Sequence, residues 1–542
     1  MRTVRLLLAS ALLTAPLALT LGAAPAGAAT LGVQQGAADN AGCDDANPYP
    51  TIGQAIGCAE DGDTVTIGAG TFNERVVISK AISVVGSGAG VTIIDGEGVN
   101  DLAGNGGQIY VDTGGSVTVA DLTVQDAGAN NDGSARHYSI YLRGDTVNPS
   151  TGTHTLSGLE IIGGGALRPD TGIYCYDNAA DIVLQDSTLS EINGNALLME
   201  LCTGEATVTG NDFDLGLVPD AAMYSMRYSG RTSAAPQLVS GNRFSGAGVS
   251  YNGSFFGATT TVGQFSNLEI SDNDFSGMAI GVGLFNRSTL ADGANGQIDD
   301  VAISGNTFTG TGTSQAVRLT GFVSDVDVTG NTITDQGIGI DLRPQTSGHV
   351  PTGASASGNR IVGNEVGANA LPTTALLAEQ NWWGCNEGPG ATGCDTVTGA
   401  VDADPWLVLS FAPTPPTAVT EGEAVAFGVT TFLDSDGNEA PAGVPGAPEV
   451  TFGAVLGTMD PEVTGLAGGD AASTYTASAT LGADQVSATL DNATITWEFT
   501  VVAAEGTTPV PTPPNPSMPS TPSTPNPAPS AQPVSATPAF VG

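Results

Sequence analysis

"VSGNRFSG" (239–246), "ISDNDFSG" (270–277), "ISGNTFTG" (303–310) and "VTGNTITD" (328–335) are variants of one phrase. With two weaker copies, its asparagines fall at Asn211, Asn242, Asn273, Asn306, Asn331 and Asn359, at gaps of 31, 31, 33, 25 and 28. A short alternating run precedes each, such as "DVAIS" or "DVDVT", and an apolar residue follows two places on: Phe213, Phe244, Phe275, Phe308, Ile333 and Ile361. Unequal gaps of this size fit a repeat whose turns carry loops of different length. Asn tolerates positive φ, so Gly-Asn between two short strands predicts a bend with the asparagine in the left-handed region. Stacked bends would let the side-chain amides hydrogen-bond up the stack, with the apolar residues pointing inward. A second strand follows most bends, as in "TGIYCYDN" (171–178), "QAVRLTGF" (315–322) and "IGIDLRPQ" (338–345). The strands lack the paired two-residue turns of hairpins. A coiled all-β solenoid is the expectation.

Two further segments carry a family resemblance. "TIGQAIGCAEDGDTVTIGAGTFNERVVISKAISVVGSGAGVTIIDG" (51–96) resembles the opening coils of pectinesterase-like and related proteins, where an Ala-rich capping helix runs into Gly-Asp-Thr-Val and then Gly-Thr-Phe/Tyr-x-Glu. "NWWGCNEGPG" (381–390), with "DADPWL" (402–407), resembles the closing segment of secreted bacterial β-helix proteins. The resemblance is to the pectin lyase-like superfamily, and it implies a right-handed parallel β-helix. It says little of activity, because this fold hosts lyases, esterases, hydrolases and non-enzymatic surface proteins. "STYTASATLGADQVSATLDNATITWEF" resembles a bacterial immunoglobulin-like domain, here without cysteines.

The chain opens with a basic start (Arg2, Arg5), a Leu/Ala run and Ala26-Gly27-Ala28, which reads as a secretory signal peptide over 1–28. The expected plan is then a β-helix over 29–410, an Ig-like β-sandwich over 411–503 and a disordered Pro/Thr/Ser tail over 504–542. No sorting signal or anchor is read at Gly542, and no later apolar run suits a bilayer. Without the leader, 12 basic residues face 55 acidic ones, a formal charge of −43. Such a balance argues against nucleic acid and anionic lipid and opposes tight capture of a polyanion without cations. Six cysteines in an exported chain predict local disulfides: Cys43–Cys58, Cys175–Cys202 and Cys385–Cys394.

The chemistry that the resemblance implies is hard to find. A pectinesterase-like reading has only "NDFDLG" (211–216), in register with the asparagine phrase and with Asp214 where that family has an aliphatic residue. A polygalacturonase-like set (Asp170, Asp299, Asp300, His349) is spread over about five coils, roughly 24 Å, beyond the reach of a carboxylate pair on one glycosidic bond. Lys80 sits in the cap region, and Asp61 and Asp63 suit a turn. The turn "DSDGNE" (434–439) leaves room for weak Ca²⁺ binding, and no metal site is assigned.

One pattern points to a ligand. Arginine recurs in the second strand of several coils, at Arg143, Arg227, Arg318 and Arg343, beside Tyr141, Tyr174, Tyr176, Glu200 and Asp341. Alternation would turn many of these outward from one sheet. Aromatic faces beside guanidinium and carboxylate groups suit sugar rings. The reading is a monomeric, secreted or surface-associated protein that binds a polysaccharide or cell-surface glycan without catalysis. A polysaccharide-active enzyme (pectate lyase-like, pectinesterase-like or a glycoside hydrolase) is the alternative, and a structural spacer the third.

Overall fold

The computed structural model describes residues 27–96, 106–127, 137–144, 150–163, 171–192, 194–215, 226–229, 235–252, 265–285, 297–345, 348–371 and 373–504. Residues 1–26 and 505–542, on which the expected signal peptide and disordered tail almost wholly fall, lie outside them. Three long sheets of 14, 12 and 11 strands run the length of the first unit, and within each the neighbours are one coil apart and parallel. This is a right-handed parallel β-helix of pectin lyase-like fold. Its strands run from Thr30–Val33 to Val401–Asp402.

The recurring Asn phrase makes the bend between the fourteen- and eleven-stranded sheets. From Asn211 to Asn381, seven asparagines stack one per coil. In the first six, the backbone N–H and Nδ2 both donate to the Oδ1 of the next rung at 2.8–3.0 Å. Two places on, Phe213, Phe244, Phe275 and Phe308 stack inside with centroids 4.8 Å apart and planes within 7°. Ile333 and Ile361 continue the column.

One expectation is corrected. The left-handed residue is not the asparagine but the one before it (Gly210, Gly241, Asp272, Gly305, Gly330, Gly358 and Gln380), and Asp121, Gly158 and Asp186 hold the same position on earlier coils, at φ of +49° to +67° overall. The asparagine must turn its amide into the stack, so its neighbour makes the turn. At Gly210 a side chain would be strained twice over, because its Cβ would lie 2.8 Å from Asp186 Oδ1.

Both ends of the stack are covered. Helix Ile52–Cys58 buries Ile52, Ala55 and Ile56 in the solenoid core. Thr51 caps it, and Glu74 accepts from the amides of Ile52 and Gly53. Disulfide Cys43–Cys58 ties the helix down; Cys175–Cys202 and Cys385–Cys394 are the others.

At the far end stands a two-sheet β-sandwich of strands Leu407–Phe411 to Ala493–Val502. Adjacent tryptophans join the units: Trp383 is buried in the solenoid core and Trp382 in the sandwich core. Asp491, in a hairpin turn of the sandwich, accepts from Trp382 Nε1 at 2.7 Å and from Arg360 Nε at 3.0 Å, and pairs with Arg360 Nη2. Asn492 adds bonds to the carbonyls of Gly384 and Gly393.

A buried histidine makes stability depend on pH. His154 faces the core in the column of Val117 and Ile182, fully buried, with Nε2 3.1 Å from Ser150 Oγ. Burial lowers its pKa from 6.5 to about 4. Between those values the unfolded chain binds the proton first, so this group's contribution is complete above pH 6.5 and falls as the pH drops towards 4. The loss by pH 4 is on the order of 3 kcal/mol. Asp395, raised by burial to about 6 against N–H donors from Gly363 and Asn364, acts with the opposite sign in much of the same window. The difference between wild type and His154→Leu isolates the histidine. Denaturant titrations at pH 7 and pH 4.5 are expected to show the variant losing less stability on acidification, and equal losses would refute the assignment.

Candidate functional site

The outward face of the twelve-stranded sheet collects four arginines, Arg143, Arg227, Arg318 and Arg343, and the tyrosines Tyr110, Tyr141, Tyr174 and Tyr176. Its inward columns hold aliphatic core residues such as Ile140, Ile173, Leu197, Val282, Val317 and Ile340. Between them one outward column reads Tyr110, Tyr141, Tyr174, Leu198, Arg227, Ser250, Gly283, Arg318, Asp341, Asn369 and Thr398. The next reads Arg143, Tyr176, Glu200 and, further along, Phe285, Thr320 and Arg343. The sequence-predicted residues therefore share one face. They form two groups, with Arg227 between.

The first group is aromatic. Tyr138, Tyr141, Tyr174 and Leu198 form a small cluster separate from the solenoid core, with Tyr110 and Tyr176 packed against it. Tyr138 and Tyr174 stack at 4.4 Å, and Tyr141 lies 5.1–5.4 Å from the rings of Tyr110, Tyr138 and Tyr174. Tyr141 and Tyr174 face outward as expected, but each is only 6 % exposed. They are the base of the patch, covered by neighbouring rings and Leu198, and not its contact surface. Tyr110 and Tyr176 are half-buried and Arg143 is exposed. Arg143 Nη1 donates to Tyr110 Oη at 2.8 Å, and Arg75 lies over that ring, 5.3 Å from its centroid. Tyr174 donates to Glu200 at 2.8 Å. Burial pushes the Tyr141 and Tyr174 phenols far above their ordinary range, so both stay protonated hydrogen-bond donors.

Sequence reasoning missed Tyr110, Tyr138 and Arg75. A signal was present for the first: Tyr110, Tyr141 and Tyr174 are separated by 31 and 33 residues, the spacing of the asparagine phrase.

The second group is polar. Asp341 is fully buried on this outward face. Its Oδ2 accepts from Arg343 Nε at 2.5 Å and from Gln315 Nε2 at 2.8 Å, and its Oδ1 from Asn369 Nδ2 at 2.8 Å. Thr398 donates to Asn369 Oδ1 at 2.7 Å. Arg318, half-buried, lies 5.5 Å over the Phe285 ring.

The two carboxylates expected at the site, Glu200 and Asp341, stand five strands apart. At about 4.8 Å per strand that is roughly 24 Å, against the 5–9.5 Å that a glycosidase pair needs. Of the fragments that echo polygalacturonases, Asp170 lies outside the described residues. Among the described residues, Cys385, Glu387 and Cys394 are grouped tightly enough to hold an ion, but the two sulfurs are bonded to each other.

No family model matches the sequence, and no curated protein matches it. Among solved structures, the chain is similar to a double mutant of the periplasmic alginate epimerase AlgG, at 11 % identity and a TM-score of 0.36 over 63 % of this chain and 77 % of that one. It is similar to the A-module of the Azotobacter vinelandii mannuronan C-5 epimerase AlgE4, at 16 % and 0.36 over 71 % and 96 %. It is also similar to a mutant tailspike protein of E. coli bacteriophage HK620 in complex with hexasaccharide, at 12 % and 0.34 over 88 % and 87 %. These are likenesses of fold and give no residue of this chain a role.

Proposed function

We propose that the chain is an exported glycan-binding protein that takes a polysaccharide on the outward face of its twelve-stranded sheet. The observation that carries this reading is the half-exposed pair Tyr110 and Tyr176 beside exposed Arg143, backed by a buried tyrosine base. Sugar rings have an apolar face that stacks on an aromatic ring and hydroxyls that bond a guanidinium. A rigid base means that little side-chain order remains to be lost on binding. Binding is favoured over hydrolysis because Glu200 and Asp341 are each engaged by donors and stand too far apart to share a bond. The C-terminal sandwich is an immunoglobulin-like module that spaces or presents the solenoid.

The test is affinity electrophoresis and pull-down of the mature chain on a panel of plant, microbial and host polysaccharides, with reducing ends and unsaturated products followed in parallel. Tyr176→Ala is expected to weaken binding about tenfold, since stacked aromatic anchors are worth about 1–2 kcal/mol each. Product released from any polymer would replace the binding reading with an enzymatic one. Retention unchanged in both Tyr176→Ala and Tyr110→Ala would remove this patch as the contact.

A further inference from the structure

The far end of the same face carries a second, chemically different site. Among the described residues, Arg343 is anchored through Nε, which bonds Asp341; that carboxylate is completely buried and is itself held by Gln315 and Asn369. A guanidinium fixed at Nε leaves its two Nη groups as a fork, and the Arg343 side chain is 36 % exposed. In strand register with Arg343 lies Thr320, whose hydroxyl is buried and has no partner among the described residues. In register with Asp341 lies Arg318. Ser250, two strands nearer the tyrosines than Arg318, is a second buried hydroxyl on this face with no partner among the described residues. The four strands from Met226–Ser229 to Gln315–Thr320 contain two arginines and no acid.

We infer that Arg343, with Thr320 and Arg318 beside it, forms an oxyanion site for a carboxylate or sulfate group, and that Asp341 is the positioning residue that aims the fork. A planar carboxylate on the two Nη groups makes the paired, charge-assisted contact to which guanidinium is suited. The buried Thr320 hydroxyl supplies a donor that the fold itself leaves unused. The overall charge of the chain opposes a long polyanion, so the site fits a ligand with sparse acidic groups. The strand of Tyr174 is six strands from that of Arg343, about 29 Å. One extended glycan lying on both would present neutral rings at one end and an acidic residue at the other. This second step rests on the glycan-binding proposal, whereas the oxyanion site does not.

The experiment is calorimetric titration of the mature chain with four probes: sodium sulfate, sodium acetate, a hexasaccharide of neutral residues ending in one uronic acid, and its carboxyl-reduced counterpart. The acidic hexasaccharide is expected to bind roughly tenfold or more tightly than the reduced one. Arg343→Gln should abolish that preference, and Arg343→Lys should restore little of it, because the fork is lost while the charge remains. Thr320→Val should lower the acidic affinity several-fold without lowering the melting temperature, since it removes a buried unpaired hydroxyl. Equal binding of the acidic and reduced forms, with no binding of free anions, would overturn the site. Arg343-dependent binding of sulfate or acetate with no glycan bound would support the site with a free anion as its ligand and overturn the glycan reading. Loss of the reduced hexasaccharide in Tyr176→Ala but not in Arg343→Gln would keep the two sites distinct.

Discussion

Asp491→Ala is expected to destabilise the chain by about 3–5 kcal/mol, the usual result of breaking a buried ion pair from one side. The Arg360 and Asp491 side chains are 16 % and 9 % exposed. Removal of the carboxylate would leave the guanidinium and the Trp382 indole N–H facing apolar surroundings without an acceptor. Because Trp382 belongs to the sandwich core and Trp383 to the solenoid core, the damage should reach both units. Denaturant unfolding followed by tryptophan fluorescence and by far-ultraviolet circular dichroism is expected to show both signals moving to lower denaturant together. A shift below about 1 kcal/mol would mean that the junction is a loose contact. Movement of the fluorescence alone would mean that the units unfold separately.

Asn306→Leu is the second large effect, in the middle of the ladder. Its Nδ2 donates to the Ile270 and Ser304 carbonyls and to Asn331 Oδ1, and its Oδ1 accepts from the backbone and side chain of Asn273. Leucine fills similar space and meets none of these groups. At least two buried donors on Asn273 would be orphaned, at about 1–3 kcal/mol each, so a loss of roughly 3–6 kcal/mol is expected. Hydrogen exchange should show protection lost first at Asn273 and its neighbours on adjoining coils. Exchange rates unchanged at the Asn273 amide would falsify the view that the ladder, and not the apolar stack, fixes the register of this edge.

The fold was legible because its repeating unit is short and each rung needs the same chemistry. Six of the seven ladder asparagines could be read directly. Asn381 was hidden because its coil closes on "NWWG" instead of the usual phrase, and because its gap from Asn359 is only 22 residues. The turn was located correctly, but the φ > 0 position was put one residue late, since Gly and Asn both tolerate that region and only the amide's inward role separates them. The candidate face was half legible. Strand alternation gave the outward direction of Tyr141, Tyr174, Arg318 and Asp341. It could not show that Tyr141 and Tyr174 lie beneath other rings, or that Asp341 is a buried anchor for Arg343, because those facts depend on which side chains meet across coils. Nothing in one coil's sequence records its neighbour.

The row of left-handed residues has a bearing on how so acidic a chain stays folded. Along the stack, an aspartate at this position always has glycine as its next rung: Asp121 before Gly158, Asp186 before Gly210, Asp272 before Gly305. Each carboxylate leans over the empty space of that glycine, and none meets another at the strand spacing. The closest pair in the row is two rungs apart, about 9.6 Å, beyond the screening length of roughly 8 Å at physiological salt. Negative charge is thus spread along this edge at a spacing where it hydrates the surface and barely repels itself.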